Sequence, residues 1–99
     1  MTITHTITFN NNKITKEHWK LNNLSHSHKD IPAIIKYRSN GKIKTLQWYK
    51  HGIQHRNKGP STIIYMINGQ VVKTWYKNGI IKKSIMYDIN NKKIYKEYY

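Results

Sequence analysis

Apolar and polar positions alternate along much of this chain. Ile3, His5, Ile7 and Phe9 occupy one set of positions and Thr4, Thr6 and Thr8 the other, the period-two pattern of a half-buried strand. Short segments rich in β-branched and aromatic residues follow at Ile14–Trp19, Ala33–Arg38, Lys42–Tyr49, Thr62–Ile67, Gln70–Lys77, Ile80–Tyr87 and Lys92–Tyr98, a composition suited to a pleated surface. No window carries helical spacing. Turn signals separate the segments. Asn40-Gly41, Asn68-Gly69 and Asn78-Gly79 each predict a two-residue type I′ hairpin, because both central positions of that turn need positive φ. On that geometry Tyr65 faces Val72, Met66 faces Val71 and Ile67 faces Gln70. Likewise Tyr76 faces Ile81 and Lys77 faces Ile80. The chain therefore predicts an all-β fold, a single-layer antiparallel meander of β-hairpins.

The meander repeats. Trp48-Tyr49-Lys50-His51-Gly52 returns 27 residues later as Trp75-Tyr76-Lys77-Asn78-Gly79, whereas Pro32, Tyr37 and Asn40-Gly41 return 28 residues later as Pro60, Tyr65 and Asn68-Gly69. A fixed period of this size means stacked copies of one supersecondary unit. Trp19-Lys20 and Tyr98-Tyr99 take the same place in an eroded first copy and a truncated last one. The copies run over roughly 9–31, 32–59, 60–86 and, in part, 87–99 of one domain spanning 1–99. Atypical end copies cap such a stack. The spacing from turn Gly to Trp differs by one residue between Gly41–Trp48 and Gly69–Trp75, so a bulge is expected in one copy.

Trp48-x3-Gly52-x2-His55-x3-Gly59 resembles the MORN repeat, and the run Trp48-Tyr49-Lys50-His51-Gly52 followed by His55-Arg56 and Gly59-Pro60 is similar to its variant in large-DNA-virus and bacterial proteins. The first copy reads His26-Ser27-His28-Lys29-Asp30-Ile31-Pro32, and the third has Lys82-Lys83 in place of His-Arg. The resemblance implies about three repeats in an elongated hairpin sheet, and no catalytic activity. Scaffolding, self-association and binding of acidic lipid are the roles that it suggests.

Charge changes the picture most. The 99 residues include 18 Lys and Arg against 4 Asp and Glu, for a net charge of +14. Protecting exposed strand edges explains Lys in general but not that bias. The basic residues gather in the middle copy, at Lys42, Lys44, Lys50, Arg56 and Lys58, and towards the end, at Lys73, Lys77, Lys82, Lys83, Lys92, Lys93 and Lys96. By alternation Lys73 and Lys77 share a face with Trp75, and Lys44 shares one with Trp48. Lys is a point charge to phosphate and reads few base edges. The leading expectation is therefore a non-sequence-specific DNA-binding protein, as in genome packaging; RNA is the other nucleic-acid partner, although motifs of RNA-reading modules are absent. With about five phosphates neutralised, raising salt from roughly 50 to 200 mM weakens such binding several hundredfold. The alternatives are peripheral binding to an anionic membrane through the same lysines, or a self-associating scaffold with an acidic protein partner. The Trp and Tyr positions could stack bases, but their recurrence at the repeat period favours a structural role.

Other chemistry is thin. Glu17, Asp30, Asp88 and Glu97 are scattered over different copies, so no acid/base pair is expected and the chain is read as no enzyme. His26-x-His28, His51 and His55 invite a metal reading, but no Cys is present and a structural role within the turns fits His26 and His55 better. No cofactor and no metal are expected. Met1–Phe9 lacks a basic start and an apolar block, so no secretory leader is expected, and the place expected is inside a cell or a virion. A sheet this thin leaves apolar surface and open edges, which predicts a homodimer through Ile3–Phe9 or Tyr95–Tyr99.

Overall fold

The structure, a computed structural model, describes residues 2–99. Its strands are β1 (Ile3–Asn10), β2 (Lys13–Leu21), β3 (Leu24–Ser25), β4 (Ile34–Tyr37), β5 (Ile43–Gln47), β6 (Tyr49–Lys50), β7 (Ile53–Gln54), β8 (Thr62–Tyr65), β9 (Val71–Lys77), β10 (Ile80–Tyr87) and β11 (Lys93–Tyr98). Among the described residues there is no helix. The main sheet is an open antiparallel meander in the order β1-β2-β4-β5-β8-β9-β10-β11, with β3 beside β2 and a separate β6–β7 hairpin. The molecule measures 41 × 34 × 17 Å.

Two kinds of turn build it. At the hairpin tips, Asn22-Asn23, His51-Gly52 and Asn78-Gly79 all have positive φ at both positions, as a type I′ turn requires. The predicted pairing Tyr76↔Ile81 and Lys77↔Ile80 is observed there. In the two Asn-Gly turns at the opposite edge, Gly41 and Gly69 are left-handed while Asn40 and Asn68 are not. There the Gly N–H closes a four-residue turn onto Arg38 O at 2.9 Å and Met66 O at 3.0 Å. The Asn68 carboxamide accepts from the Gln70 N–H at 3.0 Å instead of entering the left-handed region itself. The predicted register at this turn is therefore corrected by one residue, to Tyr65↔Val71 and Ile64↔Val72.

The change of period from 28 to 27 has a local cause. Lys36 pairs with Thr45 and Tyr37 with Ile43, leaving Lys44 as the extra residue of a bulge. The equivalent hairpin β8–β9 pairs without a shift. The bulge at Lys44, and the end of β5 one residue before Trp48, remove the simple alternation that put Lys44 and Trp48 on one face.

The tips stack on one another. The Gly52 N–H donates to Ser25 O at 2.7 Å and the Gly79 N–H to Gln54 O at 2.9 Å. The preceding turn residue is held by a histidine: the His51 N–H donates to His26 Nδ1 at 3.0 Å and the Asn78 N–H to His55 Nδ1 at 2.9 Å. A Cβ at Gly79 would stand 2.9 Å from Ile53 Cγ2, so only glycine fits beneath that side chain.

The core is small. Ala33, Ile34, Trp48, Ile63 and Ile85 are its buried apolar residues, joined by Ser61 and Thr62. The chain exposes 6745 Å², against roughly 6,000 Å² for a compact monomer of this mass.

Candidate nucleic-acid interface

Paired residues share a face of a sheet and successive pairs alternate. One face, the tryptophan face, carries His5–Trp19 and Trp75–Lys83; the other, the threonine face, carries Thr6–His18 and Thr62–Thr74.

The lysines of β9 to β11 converge. Lys73 pairs with Ile63 and Ile85, Lys96 with Ile85, Lys83 with Trp75 and Tyr98, and Lys93 with Tyr87, which puts all four on the tryptophan face. Aromatic rings lie between them. Lys73 Nζ sits 4.8 Å from the centre of the Tyr87 ring, and Lys83 Nζ 4.6 Å from that of Trp75, within cation–π range. The nearest acidic residue in sequence, Glu97, pairs with Ser84 and so lies on the threonine face. Lys77 shares the face of Lys73 and Trp75 by register, but its Nζ donates to Asn57 O at 2.9 Å. Lys82 is the unpaired residue of a bulge and is exposed.

The other predicted residues fall into two separate groups. Lys42 and Lys92 follow turns at one edge, near the bulged Lys44. Lys50, Arg56 and Lys58 line a cleft of about 480 Å³ with His26, Trp48 and Asp30. Arg56 is committed within it. Its guanidinium lies 3.8 Å from the centre of the Trp48 ring, donates to both oxygens of Asp30 at 3.0 Å, and donates to Pro60 O at 3.1 Å. That hydrogen bonding holds the Asp30 carboxyl below its ordinary range, against a smaller opposing effect of burial. Lys83 follows Arg56 by 27 positions and likewise covers the tryptophan of its own copy.

Sequence reasoning missed a second basic patch. Lys16 faces Lys36 directly across β2 and β4 on the threonine face, and Lys20 lies on the same face four residues further along β2. His18 between them has a lowered pKa, through burial first and then through Lys16 and Lys20. The lysines thus occupy both faces, one in each half of the sheet. Alternation placed Lys16 and Lys20 together in the sequence; only the strand order adds Lys36.

The carboxylates are spent internally. Glu17 meets His5 Nε2 at 2.9 Å and accepts from the Tyr37 hydroxyl, whose pKa that hydrogen bond and burial push up to about 12. Asp88 accepts from the Asn90 and Lys92 N–H groups, each at 2.9 Å. Among the described residues Arg56 pairs with Asp30 and His5 hydrogen-bonds Glu17, and no lysine is paired with an acid. No group of three or more His, Asp or Glu among those residues is placed to hold a metal. Compared with protein-family models, curated proteins and solved structures, the chain shows no match.

Proposed function

We propose that this protein binds double-stranded DNA without sequence preference, through the tryptophan face of β9, β10 and β11. The observation that carries this reading is the convergence of Lys73, Lys83, Lys93 and Lys96 on one acid-free stretch of sheet. Ammonium groups held over aromatic rings keep their charge while their stems are ordered, which lowers the entropy lost on meeting phosphate. With 16 Lys to 2 Arg, the surface suits phosphates more than base edges. Coating or packaging a nucleic acid is the role that fits such binding.

A triple change of Lys73, Lys83 and Lys96 to Gln tests the face. Each lysine removed from the phosphates should reduce the salt slope by about one. The pair Lys16→Gln and Lys36→Gln, on the other face, should leave the slope nearly unchanged. Equal effects of the two variants would refute the assignment.

A second reading has its own observation. At the edge formed by the four-residue turns, Ile67 is 89% exposed, Ile89 70% and Met66 39%, with Lys42 and Lys92 beside them. Apolar tips flanked by lysines suit an anionic membrane surface. Binding to acidic vesicles that is lost in Ile67→Ser with Ile89→Ser, while DNA binding persists, would support it.

A further inference from the structure

The two edges of the sheet are chemically unlike. β11 carries Lys93, Lys96 and Glu97, the charges that blunt an edge against another strand. β1 is eight residues of ITHTITFN, exposed throughout, with no Lys, Arg, Asp, Glu or Pro. It is a long, uncharged edge on a chain of net charge +14.

The backbone of β1 is set for pairing outwards. Asn22 N–H donates to Thr2 O at 2.9 Å and Thr2 N–H to Asn22 Oδ1 at 3.1 Å, so Thr2 bonds inwards. Opposite His5, both backbone groups of Trp19 are taken elsewhere: its N–H donates to Ala33 O at 2.7 Å, and its O accepts from His26 N–H at 3.2 Å. By the alternation of an antiparallel ladder, Ile3, His5 and Ile7 turn their N–H and C=O groups away from β2.

We propose that two copies of this chain pair antiparallel through β1, about a two-fold axis at Thr6. This register gives the fullest overlap of Ile3–Phe9 with itself. Thr6 faces Thr6 of the second copy, Thr4 faces Thr8, His5 faces Ile7, and Ile3 faces Phe9. Threonines then meet threonines on one face, and on the other Phe9, 60% exposed in the single chain, meets Ile3. The contact is isologous and closes at two copies.

Charge favours this edge over the β11 edge. Lys16 lies beside Thr8 and Lys20 beside Thr4 on the same face. In the paired sheet Lys16 of one copy and Lys20 of the other stand three strand spacings apart, about 14 Å. That exceeds the screening length of about 8 Å at physiological salt. Pairing through β11 would instead bring lysines of the two copies together.

The chain has no cysteine, so single-cysteine variants report the register. In a non-hydrogen-bonded pair the Cα atoms are about 4.5 Å apart, within disulfide range. Thr6→Cys should oxidise to a disulfide-linked dimer. Thr4→Cys should not, because the two Thr4 residues lie about 13 Å apart in this register. Light scattering of the unmodified chain should approach twice 11.9 kDa with rising concentration. Thr6→Lys should halve that mass and leave the circular dichroism spectrum unchanged. A concentration-independent monomer, open-ended filaments, or equal cross-linking at both positions would overturn the proposal. None of these outcomes depends on whether DNA binds.

Discussion

The Nδ1 atom of His55 accepts the backbone N–H of Asn78 at 2.9 Å, tying the loop of one copy to the turn of the next. His26 does the same for His51 at 3.0 Å. The His26 bond needs an imidazole with a free lone pair, so it is lost when His26 is protonated. Burial first, then the charges of His51, His28 and Lys50, hold the His26 pKa below the ordinary value of 6.5. The unfolded chain therefore takes up that proton first, and stability falls as pH drops below about 6.5. The thermal midpoint should decline from pH 7.5 to 5. His26→Asn, which keeps an acceptor and cannot titrate, should flatten part of that decline. An identical pH profile in the variant would contradict this account.

Gly69 and Ile89 should couple. A Cβ at Gly69, where φ is +88°, would stand 2.6 Å from Ile89 Cγ2, whereas one at Gly41, with φ of +84°, would meet nothing within 4 Å. Gly41→Ala should cost about 1 kcal/mol through backbone strain alone. Gly69→Ala should cost more, and Ile89→Ala should recover the difference in the double variant. Denaturant midpoints of the four chains read this coupling. Equal costs at both glycines would remove it.

Trp48, 4% exposed, depends on Arg56 as its lid. Lysine cannot stack flat on the ring while bonding two carboxylate oxygens and a carbonyl. Arg56→Lys should lower stability by about 1–2 kcal/mol, a fall of roughly 5–15 °C in Tm. Asp30 is largely exposed, so Asp30→Asn should cost under about 1 kcal/mol. The reverse ranking in thermal melts would show that the ion pair, and not the stacked ring, holds the loop.

Thr62 is buried, and its Oγ1 has no hydrogen-bond partner. Thr62→Val replaces an unsatisfied hydroxyl by a methyl of similar shape. It should raise stability by about 0.5–1 kcal/mol. A loss of stability in chemical denaturation would mean that the hydroxyl is bonded in solution.

Much of the fold was legible in the sequence, for reasons that also mark where reading fails. Alternation and composition located the long strands. The Asn78-Gly79 pairing followed from turn chemistry alone. The same dipeptide misled at Asn68-Gly69, because Asn-Gly also closes a four-residue turn with only the glycine left-handed. Two-residue strands such as Leu24–Ser25 and Ile53–Gln54 are too short for any period to show. Lys73, Lys83, Lys93 and Lys96 share one face because the pairing of β9 to β11 is local. Lys16 opposite Lys36 was missed because that pairing depends on strand order across a long loop. The fate of Arg56 could not be read either, since Asp30 lies 26 positions away and reaches it only when consecutive loops stack.

The most direct test of DNA binding is a titration of duplexes of unrelated sequence at several salt concentrations. With Lys77 tied to Asn57, four lysines remain on the proposed face. Neutralising four phosphates gives a log–log slope of about −3.6, and affinity falls about 150-fold between roughly 50 and 200 mM salt. The account predicts that slope for every sequence. A flat salt dependence, or no binding near physiological salt, would contradict it.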